Sequence, residues 1–357
     1  MYFSFQITHM KKLVLLGFVC LFSSCKSSFD SQRTNVSNIK IDTLLQGKFS
    51  IRAINIEDNK VYYGADNSRI GYLDLTQTKQ QSILTIDTLK TEFRSIASNG
   101  TFLFVLNVAN PAKLFKVSKD FKTVETVYHE IHEKVFYDSM QFWNSNEGIA
   151  IGDPITSCFN MIITRDGGNT WTKVNCDKLP SLADGEAAFA ASNTNIILKK
   201  DKTWIVSGGK KSRIFYSADK GLTWDVFQTP IIEGNTMTGI FTGAFYNESI
   251  GIVSGGDYEK PNQNHQNKAI TFDGGKNWKL IAENQGFGYA SCIQFVPNSK
   301  AKEIVSVGAN GIYYSTDEGQ NWKQLSADPD LYTLRFLDRK TAIAAGKNKI
   351  IRIRFNP

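Results

Sequence analysis

Arginine, carboxylate and tyrosine side chains recur at the start or the end of short apolar segments of this sequence. Guanidinium groups bind carboxylate or sulfate through paired hydrogen bonds, while carboxylates and a phenol suit the hydroxyl groups of sugars. Charged groups gathered at a narrow mouth carry a desolvation cost that folding alone does not require. We therefore predict a ligand-binding site. Its predicted members are Arg52, Arg94, Asp138, Asp153, Glu186, Arg213, Asp257 and Tyr289.

The same residues also have a purely structural interpretation. Arg52 and Arg94 can pair with Asp138, Asp153 or Glu186 and line a water-filled channel that binds no ligand. The sequence leaves both interpretations open.

Motifs for metal binding, dinucleotide binding and nucleophilic catalysis are incomplete or absent. His129-Glu-Ile-His-Glu133 holds two histidines, but no third, distant histidine completes a zinc site. Gly286-Phe-Gly288 lacks the third glycine and the strand-helix-strand unit of a dinucleotide site. Neither Gly-x-Ser-x-Gly nor a Cys/His nucleophile arrangement occurs. We predict no metal, no cofactor and no assigned catalytic residue.

One octapeptide, Ser/Thr-x-Asp-x-Gly-x-x-Trp, occurs four times, at residues 164–171, 217–224, 271–278 and 315–322. Weaker copies surround Asp74 and Asp120, and the six aspartates follow one another at intervals of 44 to 54 residues. The pattern predicts a hairpin turn, in which the aspartate accepts hydrogen bonds from its own loop and the glycine adopts a positive φ. The tryptophan then starts the next strand and packs between sheets. These aspartates are expected to be structural, neither catalytic nor metal-binding.

Each interval has the length of a four-stranded propeller blade. A short apolar strand, in most cases ending in glycine, recurs seven times and predicts seven blades. These strands are residues 61–64, 102–105, 148–152, 204–208, 250–255, 304–308 and 342–346. The last blade is one strand short, and we expect residues 38–45 to supply its outer strand. The predicted fold is an all-β, seven-bladed β-propeller with Asp-box hairpins, its ring closed by an N-terminal strand in the last blade.

The N-terminal residues predict export. Lys11 and Lys12 precede an apolar run at residues 13–22 that is too short to span a bilayer. Ser23-Ser24-Cys25 resembles the lipobox of bacterial lipoproteins, although Phe22 replaces the usual aliphatic residue. We expect residues 1–25 to be a lipoprotein signal peptide with Cys25 acylated; a plainly cleaved or a retained signal is the alternative. The expected location is the cell envelope, on the periplasmic side or at the outer membrane.

The rest of the chain is expected to be one domain on a short tether. Residues 26–37 are polar and predict the tether, and residues 38–357 predict the propeller. The net charge of +7 is scattered without a dense basic patch, so nucleic acid is not an expected partner. Cys158 and Cys176 flank a predicted hairpin and could face each other in an oxidising compartment, while Cys292 is expected to be free and buried.

Several segments resemble a Bacteroidetes-type family of exported propellers, which are similar to the photosystem II stability/assembly factor propellers. The segments are Phe93-Arg-Ser-Ile, Asp138-Ser-Met-Gln-Phe-Trp143, Gly152-Asp-Pro154, Gly185-Glu-Ala-Ala-Phe-Ala-Ala-Ser192, Val206-Ser-Gly-Gly209 with Ser212-Arg213, Ser254-Gly-Gly-Asp257 and Tyr289-Ala-Ser-Cys292. The resemblance implies a chaperone-like role, in which an arginine-lined face docks a partner protein. Ala290 stands where the family has arginine. Many such proteins carry the label oxidoreductase, which nothing in this sequence supports.

We therefore expect a monomeric binding or assembly scaffold that holds a protein, or an acidic or glycan ligand, at its axial funnel. The alternative is a carbohydrate-active enzyme. Sialidases share Asp-boxes and an arginine cluster, and in that reading Arg52 and Arg94 hold a carboxylate, Tyr289 and Glu186 form the nucleophile pair, and Asp138 is the acid/base. Sialidases, however, have six blades and an Ile-Pro after their first arginine. Xyloglucan-cleaving enzymes use seven-bladed propellers, typically two in one chain.

Overall fold

In the computed structural model, described for residues 36, 38–77 and 80–356, the protein is built almost entirely of antiparallel β-strands. The strands in the first half of the chain are β1 Asn38–Glu57, β2 Lys60–Ala65, β3 Arg69–Asp74, β4 Gln81–Thr85, β5 Phe93–Ser98, β6 Phe102–Asn107, β7 Ala112–Ser118, β8 Val124–Glu130, β9 Tyr137–Phe142, β10 Gly148–Gly152, β11 Asn160–Thr164, β12 Thr172–Lys173 and β13 Glu186–Ala187. A single 3-10 turn is described, at Cys176–Lys178.

The second half continues with the same antiparallel pattern. Its strands are β14 Ile196–Lys199, β15 Lys202–Val206, β16 Gly208–Gly209, β17 Arg213–Ser217, β18 Asp225–Gln228, β19 Thr238–Phe245, β20 Gly251–Asp257, β21 Lys268–Thr271, β22 Lys279–Leu280, β23 Cys292–Phe295, β24 Ile304–Gly308, β25 Gly311–Ser315, β26 Lys323–Ser326, β27 Leu331–Asp338 and β28 Thr341–Asn356. No helix among the described residues is long and apolar enough to cross a membrane.

These strands form six sheets, where the sequence predicts seven. Four sheets have four strands each: β5 to β8, β9 to β12, β23 to β26, and β14, β15, β17 and β18. A fifth sheet runs from β19 to β22 and is extended at its inner edge by the short strands β16 and β13. The sixth, here called the joined sheet, has the order β27-β28-β1-β2-β3-β4. The architecture is that of an all-β propeller.

The joined sheet explains the missing seventh sheet. Two of its strands, β1 and β28, are long and pair with each other from Asn38↔Asn356 to Gln46↔Lys349. The register then shifts, and the remainder of β1 pairs with β2 from Ile51↔Ala65 onward. Because both strands continue through the closure without a break, the first and last predicted blades merge into one sheet. The predicted pairing of residues 38–45 with the C-terminal strand is confirmed.

The start of the propeller reaches slightly beyond the predicted boundary. Val36, which the sequence assigns to the tether, is buried in an apolar cluster with Ile353 and Phe355 of β28. The predicted signal peptide, including Cys25, lies outside the described residues.

The Asp-box turns form as the sequence predicts. In the first box, one carboxylate oxygen of Asp166 accepts hydrogen bonds from the Thr164 hydroxyl at 2.9 Å and the Thr170 amide at 3.0 Å. The two glycines at 167 and 168 adopt φ values of 76° and 84°, a region that a Cβ resists. Equivalent bonds surround the aspartates at 219, 273 and 317. The carboxylates are occupied within their own loops, which accounts for a structural role.

A disulfide joins Cys158 to Cys176 with their Cα atoms 5.6 Å apart. It connects the start of the β11 hairpin to the 3-10 turn that follows β12, beside buried residues such as Phe159 and Leu179. The disulfide that the sequence left open is formed, and Cys292 is free and buried as expected.

The chain passes from one sheet to another between β13, which pairs with β16, and β14, which pairs with β15. The connecting residues 188–195, here called the axial segment, hydrogen-bond to strands from other sheets. The Asn193 side chain donates to the Ile96 carbonyl of β5 at 2.8 Å and accepts from the Ser139 hydroxyl and the Met140 amide of β9, each at 3.0 Å. Asn193 has a φ of 59°, which asparagine tolerates better than most residues.

The other end of the axial segment contacts the opposite side of the ring. The Ser192 hydroxyl donates to the Ser291 carbonyl beside β23 at 2.7 Å, and the Thr194 hydroxyl donates to the Thr242 hydroxyl of β19 at 2.8 Å. The Thr333 hydroxyl of β27 donates to the Ser192 carbonyl at 3.2 Å. With the bond from Arg52 of β1 to the Ala191 carbonyl, the axial segment reaches an inner strand of every other sheet, so it occupies the central axis.

We expect Asn193→Ala to lower the free energy of unfolding by about 2–4 kcal/mol, because it leaves buried donors and an acceptor on β5 and β9 without partners. The measurement is the urea unfolding midpoint of the purified protein. Asn284→Ala is the matched control, since Asn284 also has a positive φ, 57°, but is exposed. Equal losses in the two variants would mean that backbone conformation, not the axial hydrogen bonds, sets the cost.

Candidate functional site

A cavity of about 400 Å³ opens on one side of the axial segment. Its floor is the backbone of residues 187–191, and its walls come from strands far apart in the chain. Four of the predicted site residues line it: Arg52, Arg94, Asp153 and Tyr289. We call this space the upper cavity. The ring brings together side chains that the sequence separates by more than two hundred positions.

The guanidinium of Arg52 is the least satisfied charged group of the upper cavity. It lies over the Tyr332 ring at 4.2 Å, and its Nη1 donates to the Ala191 carbonyl at 3.4 Å. Its Nε is buried without a hydrogen-bond partner, and no carboxylate among the described residues forms an ion pair with it. A cation in this state retains its capacity to bind an anion.

Arg94 has an acidic partner, but an exposed one. Its Nε donates to Glu92 at 2.7 Å, and the Glu92 side chain is 39% exposed. Such solvent-exposed pairs stabilise a fold by little and separate readily. The predicted alternative, in which Arg52 and Arg94 form ion pairs with Asp138, Asp153 or Glu186, is not observed among the described residues.

Asp138 and Asp153 form a carboxyl pair at the edge of the upper cavity. Asp138 is fully buried behind the cavity wall, and neither of its oxygens has a partner with hydrogen-bond geometry, although the Ala190 amide lies close enough to lower its pKa. Burial and the neighbouring Asp153 charge raise the pKa of Asp138 well above its usual range, against the opposing effect of Arg94. Burial raises the pKa of Asp153 to about 7, although the Ala188 amide donates to it at 3.2 Å. The pair therefore holds a proton near neutral pH.

Aromatic rings form one wall of the upper cavity, and the sequence predicts only one of them. Phe189 and Phe241 stack with centroids 3.9 Å apart, and the Tyr289 ring meets Phe241 edge-on at 4.8 Å. Burial raises the pKa of Tyr289 to about 12, despite the charges of Arg52 and Arg94, so its phenol stays protonated. Tyr258, 47% exposed, completes the wall. Tyr258 directly follows the predicted Asp257 in the sequence, and this position could have identified it as a candidate site residue.

Four predicted residues do not line the upper cavity: Asp138, which is buried behind its wall, and Glu186, Arg213 and Asp257. Glu186 and Arg213 bind each other: the buried Glu186 carboxylate accepts from Arg213 Nε at 2.9 Å and from the Ser207 hydroxyl at 2.6 Å. Asp257 accepts from the amides of Glu259 at 2.9 Å and Lys260 at 3.2 Å, and so caps its own turn. These carboxylates are engaged in holding loops, so the structure does not bring them together with the predicted residues that line the cavity.

Two other cavities have features less suited to a ligand site. One of about 290 Å³ lies on the far side of the axial segment, where Arg335 donates to the carbonyls of Ser192 and Asn193 at 3.2 and 3.3 Å. Another, of about 510 Å³, is a surface groove beside the first Asp-box. Two of its cations are already paired, Lys173 with Glu130 and Arg165 with Glu147. The upper cavity differs from both in having a guanidinium whose buried Nε has no hydrogen-bond partner.

Comparison with known proteins agrees with this architecture. The BNR/Asp-box repeat model matches residues 313–324. No curated protein matches the chain. The chain is therefore an all-β propeller that carries BNR/Asp-box repeats.

Solved propellers are similar over most of the chain. The structure of YCF48 bound to D1 peptide has a TM-score of 0.60 and 13% identity, over 89% of this chain and 97% of that one. YCF48 from Cyanidioschyzon merolae has a TM-score of 0.63 and 10% identity, over 89% and 99%. The GH74 xyloglucanase from Xanthomonas campestris has a TM-score of 0.62 and 13% identity, over 87% of this chain and 53% of the enzyme, so the chain spans about half of it. At these identities the similarity establishes the fold alone.

The carboxyl pair predicts a pH-dependent stability. Because the folded pKa of Asp153, about 7, lies above the unfolded value, the folded state binds more protons, and its stability falls as the pH rises toward 7. The unfolding free energy of the wild type should therefore fall relative to that of Asp153→Asn, by up to about 1.4 kcal/mol per pH unit between about pH 5 and pH 7.

Urea unfolding at a series of pH values measures this difference. Asp184→Asn is the control, because the Asp184 side chain is fully exposed. A difference that stays constant with pH for Asp153→Asn, as expected for the control, would contradict a raised Asp153 pKa.

Proposed function

We propose that the protein is a binding or assembly scaffold of the cell envelope, and that its upper cavity holds a carboxylate- or sulfate-bearing group of a partner protein or glycan. The ligand's anionic group contacts Arg52 and Arg94, and its remaining surface packs on the aromatic wall. The scaffold works as a monomer, without nucleic acid and without a cofactor.

The observation that carries this proposal is the state of Arg52. A partly buried guanidinium without a carboxylate partner costs free energy unless another group compensates it. Arg213 and Arg335 illustrate compensation by a carboxylate and by carbonyls. Arg52 has one weak carbonyl contact and a ring beneath it, and it borders a cavity large enough for a ligand group. An anion bound there would supply the absent counter-charge.

The proposed setting follows from the N-terminal sequence. The predicted signal peptide and acylated Cys25 would anchor the propeller by a short tether, in the manner of the Bacteroidetes-type lipoproteins that the sequence resembles. The disulfide of Cys158 and Cys176 is consistent with an oxidising compartment. We also propose to count the joined sheet as two blades of a seven-bladed ring, since β1 and β28 each serve both halves.

The similarity to YCF48 bound to D1 peptide supports a role in holding a polypeptide segment. The similarity covers nearly the whole of that protein, but the identity is 13%. Its ligand is therefore a guide to the class of function, not to the partner of this chain.

The test is a binding screen of the soluble form, residues 33–357, against carboxylated and sulfated glycans, their uncharged counterparts, and envelope extracts. We expect retention of an anionic ligand, weakened about tenfold or more in Arg52→Ala and in Arg94→Ala, because each loses a charge-assisted hydrogen bond. Arg165→Ala, outside the cavity, is the control and should bind like the wild type. Binding that is indifferent to both cavity variants would refute the proposal.

A second candidate is a carbohydrate-active enzyme, which the carboxyl pair favours. A carboxyl group that keeps its proton near neutral pH is suited to act as a general acid, and Asp153 fits that description. The sialidase-like assignment loses one partner, however, because Glu186 is bound to Arg213 and not available to Tyr289. The similarity to half of a GH74 xyloglucanase keeps a glycan substrate open.

Turnover assays distinguish the enzyme from the scaffold. If the cavity is an active site, the protein will release sugar from xyloglucan or a sialoside, and Asp153→Asn will reduce the rate by a hundredfold or more, on the order of general-acid catalysis. If the cavity only binds, ligand is retained without turnover.

A further inference from the structure

We infer that Asp153 is a specificity-determining residue of the upper cavity: it binds the anionic ligand in its protonated form, so that ligand binding takes up a proton from solvent. The inference rests on the proposed function of the same cavity. It adds a role for an acidic residue at a site that otherwise selects for anions.

The position of Asp153 makes it a direct neighbour of any ligand there. Asp153 follows β10 and lines the upper cavity together with Arg52 and Arg94. One of its oxygens accepts the Ala188 amide from the cavity floor, and the structure gives no hydrogen bond to its second oxygen. A carboxylate beside a bound anion repels it, whereas a carboxylic acid donates a hydrogen bond to it.

The residue behind Asp153 is a second acid whose charge state is tied to that of Asp153. Asp138 is fully buried, and neither of its oxygens is hydrogen-bonded to Asp153 or to another described residue. Two neighbouring carboxyl groups away from bulk water do not both ionise readily, and the charge of Asp153 raises the pKa of Asp138. Asp138 thus acts through Asp153, as a positioning residue that has no contact with solvent or ligand.

The other charged and titratable groups around the pair have defined states. Arg94 from β5 and Arg52 from β1 carry guanidinium groups, and Arg94 is paired with the exposed Glu92 carboxylate. Burial raises the pKa of Tyr289 to about 12, and Tyr258 lies beside it. Glu186, at the start of β13, is paired with Arg213. The carboxyl pair is therefore the group whose charge changes near neutrality and alters the net charge at the cavity.

The experiment measures proton linkage with two defined probes, sulfate and glucuronate, with glucose as the uncharged control. Isothermal titration of residues 33–357 at about pH 6, 7 and 8, in buffers of different ionisation enthalpy, gives the affinity and the number of protons taken up. We expect the affinity for both anions to fall above about pH 7, by up to tenfold per pH unit, with an uptake approaching one proton. The same titrations of Asp153→Asn should show neither effect, while Asp184→Asn behaves like the wild type.

The outcomes separate this inference from the proposed function. Anion binding that requires Arg52 and Arg94, but stays constant from about pH 6 to pH 8 without proton uptake, overturns the role of Asp153 and leaves the scaffold proposal intact. Absence of binding to both anions at every pH, or binding unaffected by the arginine variants, overturns both.

A measurement on the wild type covers the case in which Asp153→Asn fails to fold. Carboxyl ¹³C resonances titrated with and without sulfate should show the pair's midpoint moving upward when sulfate binds, because the anion favours the acid form. An unchanged midpoint at saturating sulfate contradicts the inference.

Discussion

The hydrogen bonds of the axial segment are the constraint on which the rest of the structure depends. A closed ring of sheets leaves inward-facing carbonyl, amide and hydroxyl groups around its axis, and each buried group needs a partner. Residues 191–194 supply partners to strands that make no direct contact across the ring, including β5 and β9 through Asn193 and β23 and β27 through Ser192. Packing between neighbouring blades joins each sheet only to the next one in the ring. The axial segment therefore also connects sheets that lie across the ring from each other. It also divides the axis, so that the upper cavity has a floor.

That floor sets the electrostatics of the upper cavity. Alanine side chains at positions 187, 188, 190 and 191 present little polar surface, and the backbone amides above them are the donors that Asp153 and Asp138 can reach. Asp138 is fully buried at this level and Asp153 is partly buried, and burial dominates the raised pKa of both carboxyl groups.

The sequence predicts the features that depend on local chemistry. Repeat spacing and the order of strands within a repeat predict four features: the Asp-box turns, the propeller, the pairing of residues 38–45 with the C-terminal strand, and the convergence of Arg52, Arg94, Asp153 and Tyr289.

The sequence does not predict an interaction whose partner is determined by packing. The pairing of Glu186 with Arg213 and the capping role of Asp257 depend on which way each side chain turns at a loop, and repeat position does not encode that direction. The sheet count differs because β1 and β28 pass through the closure without the break that marks other blades. The sequence also does not predict the axial segment, because Gly185-Glu-Ala-Ala-Phe-Ala-Ala-Ser192 has the composition of an ordinary inner strand.

Arginine by itself does not mark a binding site in this fold; unused hydrogen-bonding capacity does. Arg335 on one side of the axial segment donates to backbone carbonyls and a threonine hydroxyl, and Arg213 is bound to a buried carboxylate. Both are fully employed in holding the chain. Arg52 lies on the other side, where its buried Nε has no partner and its face rests on Tyr332. Ring stacking compensates part of the charge without consuming donors, so the guanidinium is held in place and yet remains able to bind. An ionised acid beside Arg52 would reduce the ability of its guanidinium to bind an anion. The protonated carboxyl pair and the absence of a carboxylate partner for Arg52 therefore both keep the cavity able to bind an anion.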